Sequence, residues 1–403
     1  MKAIKYTITA LTLILFAAIS CSKQDDIYKQ YIQPGGLKYP AKALGLSAET
    51  GFNKVTLSWP VPMDPSIVRA RVYWDNYTDS VDVDYSEFKT KTGLELAESP
   101  ALVKLDTAKV LIKKLNDRAY SFVIINFDRL GNKSLPAECT ATPYGANWLS
   151  AHSERIYKDS WYDKSKKLAN CNFTENGDDE LVATRFRYLN SEGKIVESVE
   201  RMAPNKTTYA LHDPKPGKYF EISSGFLPAN GRDTAWLDWS RVSTPIRHEL
   251  DNSKWTATVT TGAQKGGSLA NLFDGKNNTY FHFIKMGFVV ISIDTHEEAD
   301  HLMTLRAITT TMYGTSYANR GARNISMYLS DKPFDPNDAD WATNYGTPWC
   351  NSVYYFGSAA PTAGGAYTKA RYIAIVVKTF AANNAVWAEL TPWGYFESEA
   401  NIE

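Results

Sequence analysis

The stretch "DGKNNTYFH", Asp274 to His282, sets an acid, a glycine, two asparagines and a threonine directly before a run of aromatics. Three readings fit it: an ordinary hairpin turn, a metal loop, or the lip of a ligand site. An EF-hand is excluded, because that loop needs acids or amides at alternate positions before its glycine, and here glycine follows the first Asp immediately. The chain contains no nucleophile elbow, no HExxH and no P-loop. A pair of acids for glycoside hydrolysis is defined by carboxylate geometry rather than by sequence spacing, so no motif search decides that point.

Strands must position these residues. At 403 residues the chain exceeds one ordinary domain, and a prior of roughly 150 residues per domain gives two or three. From residue 40 onward it consists of short runs rich in Val, Ile, Tyr, Phe and Trp, bounded by Gly, Pro, Asn and Asp, with little sustained helical period. This spacing predicts an all-β chain of sandwiches. In a first unit, 40–144, "KVTLSW" (54–59) and "RARVYW" (69–74) read as paired strands, and "AKVLIKKL" (108–115) and "YSFVIINFD" (120–128) as two more. Their order resembles a fibronectin type III or related immunoglobulin-like sandwich. That resemblance makes Trp59 the core tryptophan and places Leu115 and Tyr120 at the tyrosine corner. Trp74 and Tyr77, in "YWDNYTDS", are read as core and edge packing. A second immunoglobulin-like sandwich is expected over 147–245, with "NSEGKI" as a hairpin. Together the two units resemble an uncharacterised domain family of secreted lipoproteins through "KYPAKALGL", "NKVTLSW", "RVYWDN" and "YSFVIINFDRLGNKS". That family carries no chemistry to transfer.

The third domain, 250–398, resembles a discoidin domain, also called coagulation-factor type C, the jelly-roll β-sandwich shared by family 32 carbohydrate-binding modules. The resemblance rests on "KWTATVTTGAQKGGSLANLFDGKNNTYFHF", "RNISMYLSDKP" and "ARYIAIVVKTFAANNAVWAELTPWGYF" in the family's order and spacing. It implies a calcium ion where the Asp-Gly loop meets the last strand. Asp274 and Glu389 would give carboxylates, Thr279 a hydroxyl or carbonyl, and Leu272 and Asn277 carbonyls. Such an ion would staple loops, stabilising the native state by mass action. Position 281 more often holds Trp in the family; Phe281 keeps the apolar ring, loses the indole donor, and is assigned to the core. His282 borders the ligand loops. A sugar site needs an aromatic face for the C–H face of a pyranose and polar side chains for its hydroxyls. In this family these come from loops at one end. Tyr313, Tyr317, Asn319 and Arg320 are the first candidates, followed by Trp349, Tyr354, Asn384 and Trp387.

The N-terminus is an address. Lys2 and Lys5, the apolar "ALTLILFAA" and then "AISC" read as a secretory signal over 1–20. The apolar run falls short of the roughly 20 residues that span a bilayer. The pattern resembles a bacterial lipobox, which makes Cys21 the lipidated first mature residue, anchored by its acyl chains. Residues 21–39 would be a flexible tether, and the acids in "SKQDD" partly match surface-export signals. Cys139, Cys171 and Cys350 contain no CxxC pair. One disulfide, such as Cys139 with Cys171, and buried free thiols both remain open. With 44 basic against 44 acidic residues, no global field steers the chain to nucleic acid. The expected function is a noncatalytic outer-membrane surface lipoprotein that captures polysaccharide or host glycan for glycan-uptake proteins. The alternatives are an adhesin that binds protein or lipid, and a divergent hydrolase.

Overall fold

The structure, a computed structural model, describes residues 39–88, 106–201, 206–284, 288–314, 322–352, 362–380 and 385–401. Cys21, the signal and most of the tether lie outside them. So do Tyr317, Asn319, Arg320, Tyr354 and Asn384. The described chain is all-β: six sheets in which every strand ladder is antiparallel. None of its helices is long and apolar enough to cross a membrane.

The first sandwich contains β1 (Ser47–Gly51), β2 (Lys54–Pro60), β3 (Ile67–Trp74), β4 (Asp79–Asp84), β5 (Thr107–Lys113), β6 (Tyr120–Asp128) and β7 (Ala137–Ala141). They form the sheets β1-β2-β5 and β4-β3-β6-β7, so β2 and β3, expected to pair with each other, lie in different sheets, as a sandwich connection requires. Period-two alternation sends Val55, Leu57 and Trp59 inward from β2. The buried Trp59 indole donates to the Tyr85 hydroxyl at 2.8 Å, and that hydroxyl donates to Asn126 Oδ1 at 2.7 Å. Buried polar groups are thereby paired, which avoids a desolvation cost of about 1–3 kcal/mol each. The Asn116 amide donates to the Tyr120 hydroxyl at 3.0 Å, the backbone bond of a tyrosine corner. This compact unit runs through residue 150 and also takes in 229–233, where the Arg232 amide donates to the Thr50 carbonyl.

The second sandwich contains β8 (Tyr157–Asp163), β9 (Leu168–Phe173), β10 (Leu181–Leu189), β11 (Ile195–Arg201), β12 (Thr208–His212), β13 (Glu221–Phe226), β14 (Ala235–Trp236) and β15 (Ser240–Arg241). One sheet is β11-β10-β13-β14, with β15 also on β13; the other is β12-β9-β8. "NSEGKI" turns the β10–β11 hairpin: Gly193 sits at φ 78°, and Asn190 Oδ1 accepts from the Lys194 amide at 2.8 Å.

The third sandwich contains β16 (His248–Glu249), β17 (Thr256–Val259), β18 (Phe281–His282), β19 (Val289–Asp294), β20 (Met303–Met312), β21 (Ala322–Ser330), β22 (Cys350–Ser352), β23 (Thr362–Ala370), β24 (Tyr372–Phe380) and β25 (Val386–Phe396). One sheet is β16-β25-β20-β23 with β18 also on β25; the other is β17-β19-β24-β21-β22. In β24, Ile373, Ile375 and Val377 face the main core. Ala374 and Val376 join a second cluster with Tyr328 and Trp341 that Phe334 and Tyr345 pack against. Burial on both faces explains a continuous apolar run in an antiparallel strand.

The second and third sandwiches share one compact unit. Ala400 is buried in the core of the second, and the Tyr219 hydroxyl donates to Glu397 at 2.8 Å. The Tyr367 hydroxyl donates to Asp159 at 2.7 Å, and the Tyr162 amide donates to the Arg247 carbonyl at 2.9 Å. Cys139, Cys171 and Cys350 are free thiols.

Candidate functional site

The start of β25 gathers the site. Its partner β18 places Phe281 opposite Trp387 and His282 opposite Val386. On the other flank β20 ends with Met312 opposite Trp387, and the Tyr313 amide reaches the Val386 carbonyl at 3.5 Å. His282 and Tyr313 therefore converge at the start of β25. The ring of Tyr280, which the sequence reading passed over, lies 4.6 Å from that of Tyr313 at a 46° tilt, and both are half-buried. Two glycines allow the neighbouring loop to approach. A Cβ on Gly267 would meet the Tyr280 ring at 3.3 Å, and Gly266, at φ 92°, lies against the Tyr280 hydroxyl. Tyr280 could have been found from its place between the turn and Phe281: with Phe281 fully buried, the alternation turns Tyr280 to the other face.

Two other aromatic candidates, Trp387 and Trp349, make packing contacts. Trp387 is 1% exposed and meets Phe283 edge-on at 5.1 Å, so it belongs to the core rather than to a ligand loop. Trp349 packs against that core, and its indole donates to the Ala366 carbonyl at 2.7 Å. Phe281 is fully buried. His282, only 8% exposed, presents little of its ring to solvent.

Beside this end stands an oxygen-lined loop. A 3₁₀ turn, Leu269–Leu272, delivers Asp274, and Gly275 turns the chain at φ 69°. Asp274 accepts from the Lys276 amide at 3.0 Å and from the Thr279 hydroxyl at 2.8 Å. The buried Glu389 carboxylate of β25 accepts from the Gly275 amide at 3.1 Å and from Asn252 at 3.3 Å. Burial pushes Glu389 up to about 7. The Asp274 charge adds to that shift, against hydrogen bonds that favour the ionised form. Among the described residues neither carboxylate has a Lys or Arg ion-pair partner. Two acids and a Thr hydroxyl linked through this loop are oxygen donors of the kind a hard cation takes.

Two further features escaped sequence reasoning because their parts are far apart in the chain. His152 lies 2.7 Å from Asp178 through Nδ1 and 3.4 Å from Glu180 through Nε2. Their ligand atoms fall within 4.8 Å of one another, with a carboxylate beside each ring nitrogen. Within the same unit, Trp161, Asp163, Lys164, Glu249 and Trp393 line a cleft of about 520 Å³. Register places Glu249 directly opposite Trp393, and the Arg247 guanidinium lies over the Trp161 ring at 5.5 Å.

Among solved structures, the chain is similar to CpGH89CBM32-5 from Clostridium perfringens, solved in complex with GalNAc-β-1,3-galactose. The identity is 18% and the TM-score 0.29, over 36% of this chain and 98% of that one. It is also similar to a SusE-like protein (11% identity, TM-score 0.32, 60% of this chain and 97% of that one). A third similarity is to the FN1–FN3 domains of chicken CNTN1 (11% identity, TM-score 0.30, 52% of this chain and 69% of that one). No curated protein matches. Residues 21–234 match the family DUF4998, described as a domain of unknown function, and the chain belongs to that family.

Proposed function

We propose that the chain is a noncatalytic, lipid-anchored surface protein that binds glycan through its third sandwich. The observation that carries this reading is the meeting of Tyr280, Tyr313 and His282 at the start of β25, in a domain whose sequence resembles family 32 carbohydrate-binding modules. Two tilted tyrosine rings offer a C–H-binding face with phenol hydroxyls at its edge. Tyr317, Asn319, Arg320 and Asn384 would supply further hydrogen bonds. Cys21 would carry the lipid, and glycan-uptake proteins would receive the captured ligand.

Calcium is proposed as a structural ion held by Asp274, Glu389, Thr279 and the Leu272 and Asn277 carbonyls. Its charge would offset the proximity of the two carboxylates and fix the loop that precedes Tyr280. Surface display would make weak sites useful, because a tethered array converts repeated binding into an effective-concentration gain.

A second reading, contact with protein or lipid, is favoured by one observation: Ile284 and Phe288 are 59% and 46% exposed in the loop after β18. A glycan array probed with the full chain separates the two readings. The full chain is required because the third sandwich shares its compact unit with the second. Glycan binding weakened in Tyr313→Ala supports the first reading; retention on lipid vesicles with no glycan bound supports the second.

A further inference from the structure

The β3–β4 hairpin is closed by Asp75, Asn76, Tyr77 and Thr78, with the Thr78 amide donating to the Asp75 carbonyl at 3.0 Å. Asp75, Asn76 and Tyr77 all have positive φ, at 49°, 51° and 66°. Positive φ at both central residues is the type I′ arrangement, for which Asn-Gly is the favoured pair. Here the glycine position holds tyrosine, whose Cβ strains this backbone. Burial does not repay the strain: Tyr77 is 55% exposed, touching the Tyr73 ring at 5.1 Å. Strained residues of this kind concentrate where a side chain must be held for binding.

What the strain holds in place is one wall of a cleft. Tyr73, Trp74, Tyr77, Arg118, Tyr120 and Glu138 line a concavity of about 320 Å³, a volume at the lower end of small-ligand sites. Arg118 is fixed twice, by an ion pair with Asp75 at 2.5 Å and by lying over the Tyr120 ring at 4.2 Å. Its planar fork carries five N–H donors, and the side chain remains 55% exposed, so donors are left for a ligand. Glu138 is exposed and adds acceptors.

We propose that this cleft in the first sandwich is a second carbohydrate site, taking one pyranose residue of an oligosaccharide. Tyr77 and Tyr73 meet the sugar's C–H face, and Arg118 and Glu138 bond its hydroxyls. The proposal rests on the glycan-binding reading of the chain and adds a site in a different sandwich. It reverses the assignment of Tyr77 to edge packing.

The test uses full-length chain titrated with the oligosaccharides that bind best on a glycan array. Tyr77→Gly restores the preferred turn residue, so it should raise the Tm by a few degrees while removing one class of sites. Arg118→Gln should weaken the same sites about tenfold. In a Tyr280→Ala/Tyr313→Ala background, residual binding should persist and should disappear on adding Tyr77→Gly. Binding abolished by Tyr280→Ala/Tyr313→Ala alone overturns this proposal and leaves the main reading standing. So does a Tyr77→Gly variant with every isotherm unchanged. A chain that binds no oligosaccharide overturns both.

Discussion

Asp274 and Glu389 lie 115 positions apart, yet the Gly275 amide joins them by donating to Glu389. The acid in the loop was legible as a ligand type. Its partner could be named only through resemblance, because spacing says nothing about which strand will return beside a turn. The structure adds what the sequence could not express: Glu389 is buried beside a second carboxylate, and a bound cation would stabilise the pair. Thermal unfolding of the full chain in calcium against chelator should show a rise in Tm. At a hundredfold excess of free ion over Kd the gain is about 2.7 kcal/mol. Glu389→Gln should abolish the calcium-dependent increment while leaving the apo chain no less stable, since it removes the disfavoured charge. An increment unchanged in Glu389→Gln would refute this metal cradle.

Elements were the most legible level. Trp59 lies in the core and Tyr120 closes its corner, both as the sandwich resemblance implied. Trp387, a secondary ligand candidate by sequence, shows what local pattern leaves open. It sits near a loop in sequence, but β25 lies between β18 and β20 in the sheet and turns Trp387 into the core against Phe283. Strand pairing of that kind is set by the whole sheet rather than by local pattern. The same crowding makes β25 sensitive to volume. A Cβ on Gly394 would lie 2.1 Å from the Thr304 carbonyl oxygen, a backbone atom that cannot swing aside. Gly394→Ala should therefore destabilise the chain by about 1–3 kcal/mol, measured by urea unfolding. A neutral effect would mean that β16, β25 and β20 are not packed as described.

For the whole molecule, length gave two or three domains, and strand spacing with family resemblance gave three sandwiches, but not their grouping. The segment 229–233 returns to the first unit, and the C-terminal turn at Glu397–Glu399 leads into Ala400 within the core of the second sandwich. Neither long-range return leaves a local signal. His301 helps hold that turn, 3.2 Å from Glu399 and 3.4 Å from Glu297. Burial alone would lower its pKa, but the hydrogen bonds to Glu399 and Glu297 outweigh this and raise it. A raised folded-state value gives stability that is fully present below the unfolded value of about 6.5 and lost as pH rises through the folded one. The Tm deficit of His301→Gln should thus be largest near pH 5.5 and should vanish by about pH 8; a deficit independent of pH would deny the imidazolium its role. The exposure of the His301 side chain keeps the effect small.

The central claim is glycan capture by the third sandwich, and the most direct measurement is a glycan array probed with full-length protein beside its Tyr280→Ala/Tyr313→Ala variant. The account predicts that the wild-type chain binds a defined set of oligosaccharides and that the variant, with unfolding unchanged, loses at least tenfold in affinity at the third-sandwich sites. Absence of binding to every glycan by a folded, calcium-loaded chain would contradict it.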